Sequence, residues 1–451
     1  MPFELLNSNL LGTAIIDQPA GVLATSENFI DPYTYASQYQ PELIPELHMR
    51  NGKGSVIGFC RITGSTDTYA SDEIRHMEQG RLHNILKGVT VTGNSFASPT
   101  PHNLRPKDRV KISDGVVERQ ATVQSITSPT VFVALNDGTG AFGFIGVVDV
   151  IADFSSSFGK GEDQFEKGKN WNPTPYVNYS HILKETYSVS KSNMVHQVWV
   201  MTPAGPKWFN HEMERTNTLF ENKEELTNIF HTRATAASAS AVAGFIPGLK
   251  GVVQQIEERG NIGNQYITTL DGLSAIARRA KQQGTCRSFT VWSDHTQMKN
   301  FREMMAGLNA GYLNGANYGI FNNSKEMAMM LDFSSVLVDG VSFHFTPLAV
   351  LEDPTLMGSA KFLQTNIACL IVPAGENYVS ENGQTVTRPY LTLRHRSDGQ
   401  VNRNKEITIY GLNTPHPQRK DIMTADYLSE ITNQLVGANA FTVVRRGVFY
   451  A

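Results

Sequence analysis

Lys207-Trp-Phe-Asn-His-Glu-Met-Glu-Arg-Thr-Asn-Thr-Leu-Phe-Glu-Asn-Lys-Glu-Glu-Leu-Thr-Asn-Ile-Phe-His231 follows Pro206 and contains neither glycine nor proline. A proline suits the start of a helix, because the donor it lacks would be orphaned there anyway. Phe209, Met213, Thr216, Phe220, Thr227 and Phe230 recur at three-, four- and seven-residue spacing. Glu214, Glu221, Asn222, Glu224 and Glu225 fall largely elsewhere. This is the pattern of one narrow apolar stripe on a long helix. At 1.5 Å per residue it extends roughly 37 Å. The expectation is a spine lying across other elements.

Downstream, the small-residue tract Thr232 to Ala243 leads into Gly244-Phe-Ile-Pro-Gly-Leu-Lys-Gly251, read as a loop. A helix is expected over Asp271 to Gln283, with Leu273, Ile276 and Ala277 inward, Asp271 as N-cap and Gly284 as stop. Ser288 to Trp292 reads as a buried strand and His295 to Leu308 as a helix, an α/β alternation. Val336-Leu-Val338 and Val341 to Phe345 flank Asp339-Gly340, a strong hairpin signal. Asn366 to Pro373, Tyr390 to Leu393, Glu406 to Tyr410 and Phe441 to Val444 read as strands, and Thr424 to Leu435 as a helix.

Upstream, residues 1 to about 54 hold Pro19, Pro32, Pro41 and Pro45 and no sustained period, the pattern of an extended arm. Ser55 to Tyr187 is β-rich. Val89 to Val91, Arg109 to Ile112, Ala121 to Ile126 and Thr130 to Leu135 alternate with turn pairs such as Gly93-Asn94 and Asp114-Gly115, and Phe142 to Val150 supplies another strand. That spacing predicts a small barrel or sandwich, self-contained over about 86–153. Residues 155–170 are polar and glycine-containing, the composition of a flexible loop.

The chain has 451 residues, a net charge of −3 and 40% hydrophobic residues, so a folded protein of several parts is expected, without a basic footprint over the whole chain. No basic leader opens the sequence and no apolar run reaches membrane-spanning length, so folding in a cytoplasm is expected. Cys60, Cys286 and Cys369 form no CxxC and read as reduced core thiols. Tests for catalytic chemistry fail one by one. His211-Glu212 begins an HExxH pattern, but Arg215 stands at the second histidine, so zinc is not held and the residues read as a solvated helix face. Gly159-Lys160-Gly161 lacks phosphate-loop spacing. His76 and His83 have no third ligand. Arg388, Arg394, His395, Arg396, Arg403 and Lys405 form a basic cluster, diluted by Asp398 and Glu406. It reads as ordinary surface or inter-subunit pairing, with a phosphate-facing role the alternative. No catalytic, cofactor-binding or metal residue is therefore assigned, and no enzyme activity is expected.

The order of parts resembles the major capsid proteins of tailed bacteriophages. Val341-Ser-Phe-His-Phe-Thr-Pro347 with Leu351-Glu-Asp-Pro354, and Asn439-Ala-Phe441 before Arg445 and Arg446, are similar in texture to that family. The resemblance implies an α+β chain of the Hong Kong 97-type capsid fold. Its parts are an N-terminal arm (1–54), an extended loop (55–187) carrying an inserted β-barrel (about 86–153), a peripheral domain (188–268) with spine helix 207–231, an axial domain (269–420), and a return to the peripheral domain (421–451). The inserted barrel looks like that of crAss-like phages. The resemblance further implies self-assembly into hexamers and pentamers of an icosahedral head in the host cytoplasm. Implied partners are portal, scaffolding and auxiliary or decoration proteins and, non-specifically, packaged double-stranded DNA, with no membrane. Lys160, Lys167 and Lys169 lie in the loop where some members cross-link, without an identifiable partner. Alternatives are another virion component from the tail or head decoration, an encapsulin-like shell protein, and a hydrolase whose carboxylates form no motif.

Overall fold

The computed structural model describes residues 56–80, 83–165, 168–169, 173–195, 208–284, 286–313, 335–357, 367–381, 384–411 and 420–447. The expected arm over 1–54 lies outside them. In chain order the elements are α1 (Val56–Ile62), β1 (Thr66–Tyr69), β2 (Glu73–Glu78), β3 (Ile85–Thr92), β4 (Ser95–Ala97), β5 (Asp108–Ser113), β6 (Glu118–Ser128), β7 (Val131–Asn136), β8 (Val147–Ser156), β9 (Thr174–Tyr179) and β10 (His181–Ser190). Then come α2 (Trp208–Phe230), α3 (Val252–Arg259), β11 (Asn261–Gly263), α4 (Leu270–Gln283), β12 (Ser288–Ser293), α5 (His295–Leu313), β13 (Ser335–Val338) and β14 (Val341–Pro347). β15 (Ile367–Pro373), β16 (Glu376–Glu381), β17 (Gln384–Pro389), β18 (Leu391–Arg396), β19 (Glu406–Tyr410), β20 (Ile422–Leu435) and β21 (Thr442–Arg445) follow, and short helical turns lie at Lys191–Met194, Ala239–Val242, Ala349–Glu352 and Ala438–Ala440. The architecture is mixed α+β. The chain divides into two compact units, His76–Tyr176 and the described residues of Met1–Arg75 with Val177–Ala451.

The smaller unit is a closed barrel, β3-β4-β7-β6-β5-β8. Alternation sends Val110 and Ile112 of β5, Ala121 and Val123 of β6, and Phe132 and Ala134 of β7 into one sealed core. Phe96 stacks on Phe132 at 5.2 Å and meets Phe142 edge-on at the same distance. Phe142 thus joins the core from the loop before β8, which starts at Val147, later than the sequence suggested. Described residues of the stretch after β8 make contacts with the barrel. Phe158 and Phe165 meet edge-to-face at 4.8 Å, and the Arg105 guanidinium lies 3.4 Å from the Phe165 ring centroid. Lys107 pairs with Glu162 at 3.0 Å and Lys169 with the buried Asp108 at 3.1 Å. Aromatic and charged side chains scattered among glycines hold it against the barrel wall.

In the larger unit, one sheet has the order β1-β18-β20-β10, with β19 also on β20. β20 corrects the helix expected over 424–435. Met423, Tyr427, Ile431 and Leu435 recur every four residues, a spacing that both a helix and a strand satisfy. Ala425, Ser429 and Asn433 fill the odd positions between them, and all seven are buried. Burial along both faces lets a strand carry polar residues that weaken its own period. β20 pairs with β10 over ten residues on one edge, and with β18 and β19 on the other.

α2 runs along the inner face of β20. Its 23 residues span about 34 Å. Phe220 packs on Tyr427 with ring centroids 5.9 Å apart, the Tyr427 hydroxyl donates to the Met213 carbonyl at 3.0 Å, and Asn433 donates to the Asn228 carbonyl at 2.9 Å. The first half of the helix has a solvated back, with Glu214, Arg215, Leu219 and Glu221 exposed, but the second half departs from a thin stripe. Glu224, Glu225, Thr227, Asn228 and Ile229 are buried together, so its C-terminal half is enclosed. Glu225 accepts the backbone N–H groups of Val56 and Ile57 at 2.7 and 3.3 Å, a carboxylate capping the N-terminus of α1.

The second sheet, β11-β21-β15-β12-β14-β13, mixes parallel and antiparallel pairs. β15 is buried at every position, as its unbroken apolar run implies. Asp339 and Gly340 take φ of 50° and 74° between β13 and β14, the left-handed pair of a tight hairpin turn. α4 is capped by Thr269, whose side chain accepts from Gly272, rather than by Asp271, which sits in the first turn.

Phe132 is fully buried at the barrel centre. Phe132→Ala is expected to destabilise the barrel by about 3–5 kcal/mol, read by urea denaturation.

Candidate functional site

The sequence candidates scatter. His211 is buried, not solvated, at the start of α2. His76 binds Glu78 at 3.1 Å beside Tyr176, while His83 is exposed. Gly159 donates to Glu162 at 2.6 Å in a local turn, with no phosphate cradle. The three thiols are buried. Burial and then the Glu225 charge push Cys60 up to about 12, and burial also raises Cys286 and Cys369, so these thiols stay protonated. Among the described residues, no group of three or more His, Cys, Asp or Glu could hold a metal ion.

Four of the six residues of the basic cluster, Arg394, Arg396, Arg403 and Lys405, pair within the chain. Arg394 pairs with Asp67 at 3.1 Å, and Arg396 with Asp72 at 2.6 Å and Glu430 at 2.7 Å. Arg403 approaches the same Glu430 at 3.8 Å, and Lys405 pairs with Glu221. Glu430 is buried and also accepts from Ser180 at 2.7 Å, whose hydroxyl lies 2.8 Å from Tyr69. The network stitches β1, β18 and β20 together. The hydrogen bonds that Arg396 donates to Glu430 and Asp72 hold its guanidinium titration above the ordinary value.

A second ionic node escaped the sequence reading. Arg446 and Asp294 meet at 2.9 Å with side chains only 5% exposed. Asp294 also accepts from Tyr266 at 3.0 Å and from the Gln297 N–H at 2.7 Å, and Arg446 donates to the Leu351 carbonyl at 2.6 Å. Burial and the Asp294 carboxylate push the Tyr266 hydroxyl well up. An aspartate directly before the helix starting at His295 is a cap signal that could have drawn attention to Asp294. Arg446 carried none, because the pairing spans 152 positions of sequence.

Two exposed apolar points complete the candidate surface. In the barrel unit, Asp114 accepts from the backbone of Val116, Val117 and Ile145 at 2.9, 2.6 and 3.0 Å. These bonds hold its carboxyl at about 2. They fix Val116 and Ile145, 89% and 86% exposed, at one end of the barrel. In the larger unit, Val242 at the end of the short helix Ala239–Val242, and Phe245 and Ile246 after it, are at least 70% exposed between α2 and α3. Single exposed apolar side chains are ordinary, but paired ones on ordered turns are the form contact points take.

No protein-family model and no curated protein matches the chain. Among solved structures, the chain is similar to one from Mycobacterium phage Cain, with 10% identity and a TM-score of 0.40 over 94% of this chain and 100% of that one. It is similar to the capsid of Myoviridae phage XM1, with 7% identity and a TM-score of 0.39 over 90% of this chain and 97% of that one. It is also similar to the holo-SrpI encapsulin complex of Synechococcus elongatus PCC 7942, with 10% identity and a TM-score of 0.33 over 62% of this chain and 79% of that one.

Removing one partner of a buried ion pair strands the other charge. Asp294→Ala is therefore expected to cost about 3–5 kcal/mol in chemical denaturation. Lys299→Ala, which breaks a pair with Glu303 exposed on both sides, is expected to cost under about 0.5 kcal/mol.

Proposed function

We propose that this chain is a structural shell protein, the major capsid protein of a tailed phage with the Hong Kong 97-type fold. Its copies would form hexamers and pentamers that close an icosahedral head around double-stranded DNA. The order of parts along the chain carries the reading. A barrel unit interrupts a larger unit, a long helix follows packed along one strand, an α/β sheet comes next, and the chain returns through β20 and β21. On the resemblance, residues 55–187 correspond to the extended loop, 188–268 and 421–451 to the peripheral domain, and 269–420 to the axial domain.

The chemistry fits a geometric role. The strongest charge clusters bind elements of the same chain, and the thiols are protonated. What faces outward is a set of short apolar points on ordered turns. A shell gains stability from many small contacts added together, and an arm reaching a neighbour raises the effective concentration of every other contact. A net charge of −3 suits a thin wall that encloses DNA without adhering to it. Portal, scaffolding and decoration proteins would be the other partners, and the protein would act in the virion without catalysing a reaction. Among the described residues no helix is long and apolar enough to cross a membrane.

Removing residues 1–30 is expected to block assembly into large particles while leaving the far-ultraviolet circular dichroism and melting of the subunit intact. Size-exclusion light scattering reads the result, and full assembly of the truncated chain would contradict the arm's role.

A further inference from the structure

At the C-terminal end of α2 two histidines face each other. His231 lies just past the helix and His181 opens β10, with ring centroids 4.8 Å apart. His231 Nδ1–H donates to the Leu249 carbonyl at 2.8 Å, which leaves its Nε2 bare. Gly248, at φ 78°, comes so close that an added Cβ would sit 2.5 Å from His231 Cε1 and 2.8 Å from His181 Nδ1. Only glycine closes the loop onto this pair.

The pair sits at the base of a closed strap, residues 232–251. Ala234 N–H donates to the Pro247 carbonyl at 3.1 Å, and Gly251 N–H to the His231 carbonyl at 2.8 Å. The strap carries the exposed Val242, Phe245 and Ile246.

The charged groups around the pair are few. Arg233 lies 3.5 Å over the Tyr179 ring and donates to the Gly248 carbonyl, while its own N–H donates to Gln254 on α3 at 2.8 Å. Lys250 turns its ammonium to Glu258 of α3 at 2.6 Å. On β20, His181 stands opposite Ile431, and Glu430 belongs to the other face, opposite Ile182. Arg233 is thus the cation bound to the strap at Gly248, and Glu258 is held by Lys250, while other carboxylates of the packed elements are engaged elsewhere, Glu185 by Lys223, Glu225 by the α1 backbone, Glu257 by Arg445, Asp426 by Thr186 and Glu430 by Arg396.

We propose that His181 and His231 form a proton-sensitive latch, which holds the strap 232–251 closed at neutral pH and releases it in mild acid. The proposal rests on these contacts alone and holds whatever the chain assembles into. Burial first, and then the His231 charge, hold the His181 titration below its ordinary value. A histidine freed by opening takes up its proton near pH 6.5. The closed strap therefore binds fewer protons than the open one. The stability that His181 lends the closed strap is fully present above about pH 6.5 and is lost as pH falls from there through its lowered titration, by at most about tenfold in the opening equilibrium per pH unit.

Hydrogen–deuterium exchange of the full chain, corrected for the intrinsic pH dependence of exchange, tests this. Between pH 7.5 and 5.0 the strap amides are expected to lose protection, by no more than about tenfold per pH unit below 6.5, while the centre of β20 keeps its own. His231→Asn retains a donor for Leu249 without a titrating ring, and His181→Asn removes the second charge. His181→Asn is expected to abolish the acid response and His231→Asn to weaken it. An unchanged strap in the wild-type chain, or an acid response that persists in His181→Asn, would overturn the latch. Should a variant fail to fold, nuclear magnetic resonance titration of the wild-type histidines decides. A His181 midpoint below 6.5 that moves with strap resonances supports it, and a midpoint at 6.5 with a still strap overturns it.

Discussion

β20 pairs with β10 along one edge and with β18 and β19 end to end along the other, while α2 lies against its inner face. With both edges taken, no backbone group in its middle is offered to solvent or to another chain. Its fourteen residues reach across roughly 45 Å, so segments remote in sequence are registered on one rod. α2 inherits its direction from β20, and Glu225 on α2 in turn fixes the start of α1. The Glu430 network fastens β1 and β18 to the opposite face. Loosening β20 would release all of these, whereas the barrel closes its own core and its own ladder.

The sequence declared elements whose signals are local. The strands from Val89 to Leu135, the Asp339-Gly340 turn and the buried β15 follow from alternation, turn chemistry and an unbroken apolar run. It misled where two periods coincide, as over 423–435, where a four-residue spacing fits either helix or strand. It also misjudged α2, because Glu224 and Glu225 look solvated until the remote N-terminus of α1 comes to meet one of them. Long-range polar pairing leaves no trace in spacing. Arg446 with Asp294, and Arg396 with Glu430 and Asp72, were legible only as charges. Cys286 and His211 came to rest as core residues, though only the first was read that way.

The allocation of charge ties the fold to the proposed role. An enzyme keeps a few ionisable groups poised, with titrations moved toward its working pH. Here, apart from the lowered His181 and His102, the displaced groups are displaced in the other sense. The thiols and the Tyr266 hydroxyl are pushed up by burial, and Asp114 is held low by backbone donors. Those shifts lock protonation states and keep turns in shape. The shaped turns then present Val116 with Ile145, and Val242 with Phe245 and Ile246, at points where another surface could close over them. Under the proposed reading, rigidity inside each unit and short apolar contacts outside it are what allow one chain to serve many positions of a shell.

Electron microscopy of the purified full-length chain, by negative stain and then in vitreous ice, tests the central claim most directly. The account predicts rings of five or six subunits or closed icosahedral shells, with the subunit density fitting α2 along β20. A chain that stays monomeric or dimeric even with its co-expressed scaffolding partner, and that hydrolyses glycans or nucleotides in an activity screen, would contradict it.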